Sequence, residues 1–196
     1  MQPIILTASG AYFDLVAPKP EMIRITDIAR ALSRICRFTG HTSEFYSVAQ
    51  HSVAVSHLVP KQYALQGLLH DASEAYLGDV SSPLKAILPE YKALERNVMA
   101  AITLRYGLPL DLHESVKKAD LVMLAAEKRD LMFYDAGSDF WPCLYDVEPR
   151  TECIRPLGSD EAERAFLARF RELTGQAERN PAGYVLTGVC SFGGIR

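Results

Sequence analysis

The chain has 196 residues, 48% of them hydrophobic, enough to bury the core of one medium-sized domain. Its formal net charge of −3, with both signs mixed along the sequence, argues against an extended nucleic-acid surface, while leaving room for a small phosphorylated molecule met by a local group of Lys and Arg. Cys36, Cys143, Cys153 and Cys190 show no CxxC spacing, so neither a disulfide framework nor a zinc knuckle is expected. The start, Met1 to Thr7, lacks a basic stretch followed by an apolar core, and no later apolar run is long enough to span a bilayer; reduced thiols in a cytoplasm are the expectation, with no membrane partner.

In chain order, residues 1–25 alternate apolar positions and carry Pro18 and Pro20, which reads as a short hairpin or extended segment. A helical body is expected over 26–175. Its first helix starts from Thr26 as cap, with Ile28, Leu32 and Ile35 at helical spacing. A second is expected over about 43–58, offering Val48, Val55 and Leu58 to the core, and a third over about 62–76, burying Leu65, Leu68, Leu69 and Ala72. Pro83 fits the first position of a short fourth helix. The next, about 89–106, ends at Gly107, which suits a left-handed cap. Asp120 falls in the first half of a helix over about 112–132. The last, about 160–174, carries an Asp160/Glu163 capping box and stops at Gly175. Segment 134–158 reads as a long loop and 176–196 as a glycine-containing tail. The fold class is therefore all-α, with a short irregular or hairpin N-terminal segment.

One feature of the third helix is hard to explain by packing alone. In Leu68-Leu69-His70-Asp71-Ala72-Ser73-Glu74 an imidazole and a carboxylate stand side by side in an apolar stretch, and adjacent groups of these two kinds can serve one metal ion. His51 lies before the pair and Asp120 after it, giving the order H…HD…D. An isolated histidine is more often a hydrogen-bonded core or surface residue; four such positions in order, each in a plausible helix, form a far more specific pattern. Mixed imidazole and carboxylate donors suit Mn, Fe, Co, Ni or Zn better than Ca or Mg. Such an ion can polarise phosphorus and lower the pKa of a water, which is hydrolase chemistry.

With Gly78-Asp79 and Ser82-Pro83-Leu84-Lys85 added, the chain resembles the HD-domain metal-dependent phosphohydrolases over roughly 28–132, and within them the bacterial 5′-deoxynucleotidases and phage deoxynucleoside triphosphohydrolases. The resemblance implies an HD-type helical bundle with His51, His70, Asp71 and Asp120 as metal ligands. It implies that Glu74, one helical turn after His70, positions or deprotonates the attacking water or protonates the leaving oxygen. It places the pair Arg37-Phe38 at the substrate, Arg37 on phosphate and Phe38 against sugar or base; relatives typically carry Trp there, which puts sugar or base discrimination in doubt. Asp79 matches a position associated with the sugar hydroxyl. Lys85 and Arg34 offer further charge to phosphate. Plain alternatives stand beside each of these: Glu74 and the arginines as salt-bridged surface groups, Phe38 as core, Asp79 as a turn former after Gly78, and His41 and His57 as structural.

The expected substrate is a 2′-deoxynucleotide cleaved at its 5′ phosphoester. It is either a monophosphate giving phosphate or a triphosphate such as dATP giving triphosphate, the latter with extra Mg. A homo-oligomer is expected. The competing reading is a catalytically inactive HD nucleotide-binding regulator, disfavoured because a pure sensor has no need of the whole ligand set plus Glu74. Nucleic-acid-directed HD nucleases are disfavoured by net charge and by the lack of an appended domain.

Overall fold

A computed structural model describes residues 2–133 and 140–175, and these are mostly helical. The expected hairpin is present: β1 (Ile4–Leu6) pairs antiparallel with β2 (Tyr12–Asp14), Ile5 opposite Phe13. Its turn is tied to the body by Asp27, a buried carboxylate that accepts from the Ser9 backbone N–H at 2.7 Å and the Ser9 hydroxyl at 2.8 Å. Phe13 enters the core and stacks on Tyr76 with ring centroids 3.9 Å apart.

The body consists of α1 (Ile25–Leu32), α2 (Val48–Leu58), α3 (Ala64–Leu69), α4 (Glu74–Leu77), α5 (Ser82–Ala86), α6 (Pro89–Tyr106), α7 (Glu114–Leu131) and α8 (Ser159–Thr174). Ile28, Leu32, Val48, Leu68, Leu69, Val98, Ile102, Phe166 and Phe170 meet in the main core, and Val55, Val59, Val116 and Met123 form a second cluster between α2 and α7. No helix among the described residues is long and apolar enough to cross a membrane.

Two helix ends match the sequence reading closely: α6 stops at Gly107 (φ 66°) and α8 at Gly175 (φ 69°), both left-handed. Elsewhere tertiary contacts override local signals. α1 begins at Ile25 rather than after a Thr26 cap, because Ile23 and Ile25 are drawn into the core. α2 begins at Val48, with the Ser47 hydroxyl accepting from Gln50 N–H at 3.2 Å. Residues just before it are extended, since Arg37 N–H donates to Tyr46 O at 2.9 Å and Val48 N–H to Ile35 O at 3.1 Å. Leu58, expected in the core, is exposed at the end of that helix.

The helix expected over 62–76 is divided at the His-Asp pair, where the backbone tightens into shorter-range bonds, Ala72 N–H to Leu69 O and Glu74 N–H to Asp71 O. Pro83 occupies the second position of α5 rather than the first. The capping box does not form, because Gly158 is the cap and Asp160 and Glu163 turn to Arg30 of α1 and Arg34 just beyond its end. Within 134–158 the described part is irregular apart from a 3-10 turn at Pro142–Leu144. Residues 134–139 and the tail 176–196 lie outside the described residues.

Candidate metal centre

The close approach of α2 and α3 builds the site. At Gly67 a Cβ would lie 3.2 Å from Ser56 Cα and 3.3 Å from Val59 Cγ2, so the absent side chain lets the two helices meet. That contact brings His51, in the first turn of α2, opposite His70 at the end of α3, their Nε2 atoms 3.3 Å apart. α7 lies against α2 through the second core cluster and adds Asp120, whose Oδ1 is 3.1 Å from His51 Nε2. One ligand atom from each of His51, His70 and Asp120 falls within 4.8 Å of the others. Asp71 Oδ2 joins at 3.1 Å from His70 Nε2 and 3.7 Å from His51 Nε2. An ion bound at about 2.1 Å to such donors has neighbouring donors roughly 3.0–3.4 Å apart. Three of the spacings fall in that range, while His51–Asp71 at 3.7 Å and His70–Asp120 at 3.9 Å exceed it; the donor chemistry is compatible with a divalent metal.

Both imidazoles are held from behind. His51 is fully buried, and its Nδ1 lies 2.6 Å from Glu127 Oε1; His70 Nδ1 lies 2.8 Å from the Gly67 carbonyl. A carbonyl can only accept, so Nδ1 of His70 carries the proton of the neutral ring and Nε2 is left facing the cluster, as a ligand requires. Glu127 acts likewise on His51, and its other oxygen accepts from Arg37 Nε at 3.1 Å and Nη2 at 3.0 Å. Arg37 Nη1 in turn faces Asp71 Oδ2 at 3.6 Å.

The charges are arranged to keep the acids ionised. Burial alone would raise Asp71, but His70, His51 and Arg37 bring it well below the usual carboxylate range. Burial opposes ionisation of Glu127 too, and His51 and Arg37 overcome it. Without a cation, burial and Arg37 push His51 down, yet Glu127 and Asp120 more than offset them. His70 is raised to about 9, Asp71 and Asp120 outweighing its burial.

The other residues singled out in the sequence divide into two groups. Glu74 is buried at the start of α4, its Oε1 accepting from Lys85 Nζ at 3.3 Å and its Oε2 lacking a hydrogen-bond partner among the described residues. Burial, then the charges of Asp71 and Asp79, push it up to about 9, which places all three carboxylates in one field. Asp79 is likewise raised, chiefly by burial. Lys85 is drawn away toward Glu95, at 2.6 Å. Phe38 is half-buried beneath the Arg37 guanidinium, 5.3 Å from its ring centroid. Arg34 is placed elsewhere: its guanidinium pairs with Asp160 at 2.7 Å and Glu163 at 2.8 Å, joining the turn after α1 to α8.

Glu127 escaped the sequence reading. Its signal was its position seven residues, two helical turns, after Asp120, which puts both carboxylates on one face of α7. His113 was also passed over; it caps α7 by accepting from Ser115 N–H at 3.2 Å and stacks on Tyr63 with centroids 3.7 Å apart.

Fold and site together define an all-α protein in which two histidines and an aspartate could hold a metal ion. It is 48% identical over 172 residues to the uncharacterized protein YfdR of Escherichia coli (strain K12), a match covering 87% of this chain and 95% of that protein. It is also 40% identical over 181 residues to the uncharacterized protein RCAP_rcc00048 of Rhodobacter capsulatus, covering 84% of this chain and 92% of that one. The chain belongs to the family of these proteins. No family model matches it.

Proposed function

We propose that this protein is a metal-dependent phosphohydrolase of the HD-domain type that cleaves the 5′ phosphoester of a 2′-deoxynucleotide and releases a nucleoside. The observation that carries the reading is the convergence of His51, His70, Asp71 and Asp120 beside the buried, incompletely satisfied carboxyl of Glu74. The Glu74 Oε2 atom, without a protein partner among the described residues, is open to a water or a substrate atom. A divalent transition ion held by the four ligands would supply Lewis acidity to the phosphoester.

The chain's own residues account for the rest of the chemistry. Hydrolysis joins a water oxygen to phosphorus, breaks the bond from phosphorus to the sugar oxygen, and delivers a proton to that departing oxygen. Glu74, whose pKa burial and the neighbouring carboxylates push upward, is suited to exchange protons there, giving one to the departing oxygen and recovering one from the water. Arg37, fixed by Glu127, presents Nη1 on the Asp71 side, where it balances phosphate charge. Asp79 is near enough to feel Asp71 and suits a sugar hydroxyl.

With Arg34 engaged by α8 and Lys85 by Glu74 and Glu95, two of the cations offered to a phosphate tail are already paired, which favours extra Mg for a triphosphate. A monophosphate makes no such demand. The test is Glu74→Gln assayed for bound metal and for nucleoside release: metal retained with turnover lost supports the role. Metal lost with it makes Glu74 a ligand, and full turnover removes it from the reaction.

A further inference from the structure

Trp141, the chain's one tryptophan, lies outside the segment that carries the ligands. It immediately precedes the turn at Pro142–Leu144 and is half-buried. Its ring faces Phe38, centroids 6.5 Å apart and tilted by 60°, and Lys128 Nζ lies 5.2 Å from its centroid. Phe38 carries the Arg37 guanidinium on its own face, and Arg37 reaches Asp71. A continuous path therefore leads from a metal-site carboxylate through a guanidinium to two aromatic rings flanked by cations.

The backbone at this point is unusual. Phe38 (φ 54°) and Thr39 (φ 55°) both lie in the left-handed region, which bulky and β-branched side chains avoid. The segment is held there by Arg37 N–H to Tyr46 O and His41 N–H to Phe38 O, each 2.9 Å. Filling a core asks for no such conformation, whereas presenting a ring beside a reaction centre does. The ring pair sits at the wide end of aromatic contact distances, so neither ring is closed into a tight stack by the other.

We infer that Trp141 and Phe38 form an aromatic wall beside the planar base of a nucleotide whose phosphate lies at the metal cluster, the base stacking on Trp141 and meeting the tilted Phe38 ring at an angle. The inference rests on the phosphohydrolase reading for the placement of phosphate and adds what recognises the other end of the substrate. Arg37 over Phe38 and Lys128 over Trp141 place positive charge beside the rings, which favours a phosphate-bearing heterocycle over a neutral apolar ring.

Because the protein has a single tryptophan, its emission reports on the wall directly. The metal-loaded protein is titrated with dAMP and with 2-deoxyribose 5-phosphate, which keeps the phosphate and sugar but lacks the base, and both are assayed for hydrolysis with the wild type, Trp141→Ala and Trp141→Phe. Saturable quenching by dAMP but not by the sugar phosphate is expected. Trp141→Ala should raise KM for dAMP roughly ten-fold or more with kcat retained and KM for the sugar phosphate unchanged, and Trp141→Phe should recover most of the loss. Absence of base-dependent quenching, or an equal rise in KM for both compounds, overturns the wall while hydrolysis of either leaves the enzyme reading standing. Base-dependent quenching with no hydrolysis of either supports the wall and removes the hydrolase.

Discussion

Glu127 is fully buried and serves two partners at once, orienting the His51 imidazole with one oxygen and anchoring Arg37 with the other. Glu127→Gln keeps the shape and a hydrogen-bonding oxygen but loses the charge, so it should weaken metal binding roughly 10- to 100-fold, read by titration with Co or Mn, while the protein stays folded. Unchanged affinity would reduce Glu127 to a partner of Arg37 alone. Removing the carboxyl altogether is a harsher change, since Glu127→Ala leaves the Arg37 guanidinium with only its longer contact to Asp71, at a cost of about 3–5 kcal/mol.

His70 gives the pH dependence. Burial would lower it, but Asp71 and Asp120 hold it up at about 9, so in the metal-free protein the ring is protonated at neutral pH and a cation must displace that proton. Metal affinity should therefore rise as pH increases through neutrality and level off above about 9. Calorimetry in buffers of different ionisation enthalpy should register proton release on metal uptake. A pH-independent affinity over that range would contradict the assignment of His70 as a ligand.

At the scale of elements, the site depends on how α2, α3 and α7 lie together more than on any one of them. Gly67 joins two functions: its missing side chain admits α2, and its carbonyl fixes His70. Gly67→Ala should push α2 away from α3, destabilise the protein by about 1–3 kcal/mol, and weaken metal binding because His51 and His70 ride on the two helices that separate. Thermal unfolding with and without metal checks both parts. A stability loss with full metal affinity would show that the helices relax without moving the imidazoles.

Elements set by their own sequence were legible in it. The long α6, opened by Pro89, and the glycine stops at 107 and 175 needed no information from elsewhere in the chain. The late start of α2 was not, because it depends on backbone pairing with 35–37, and neither was the break at His70-Asp71, where a side chain competes for the Gly67 carbonyl. The ligand residues stood out because His and Asp are unusual in apolar helices. Glu127 and Trp141 did not, since their meaning comes from partners 76 and 103 positions away, His51 and Phe38. Arg34 was misplaced for the same reason, its carboxylates lying on α8 at the far end of the chain.

For the molecule as a whole, an acidic chain of net charge −3 pairs Arg34, Arg37 and Lys85 with carboxylates, and of these three Arg37 also reaches Asp71 of the cluster. The two relatives match most of the chain and are named without an activity. The measurement that bears most directly on the phosphohydrolase reading is chromatography of the products formed when the metal-loaded protein is incubated with dAMP and with dATP in the presence of Mg. The account predicts deoxyadenosine as the organic product, with phosphate from dAMP or intact triphosphate from dATP, and none of it after Asp71→Ala. No nucleoside from either compound in protein shown to hold its metal, or dADP or pyrophosphate accumulating from dATP, would contradict it.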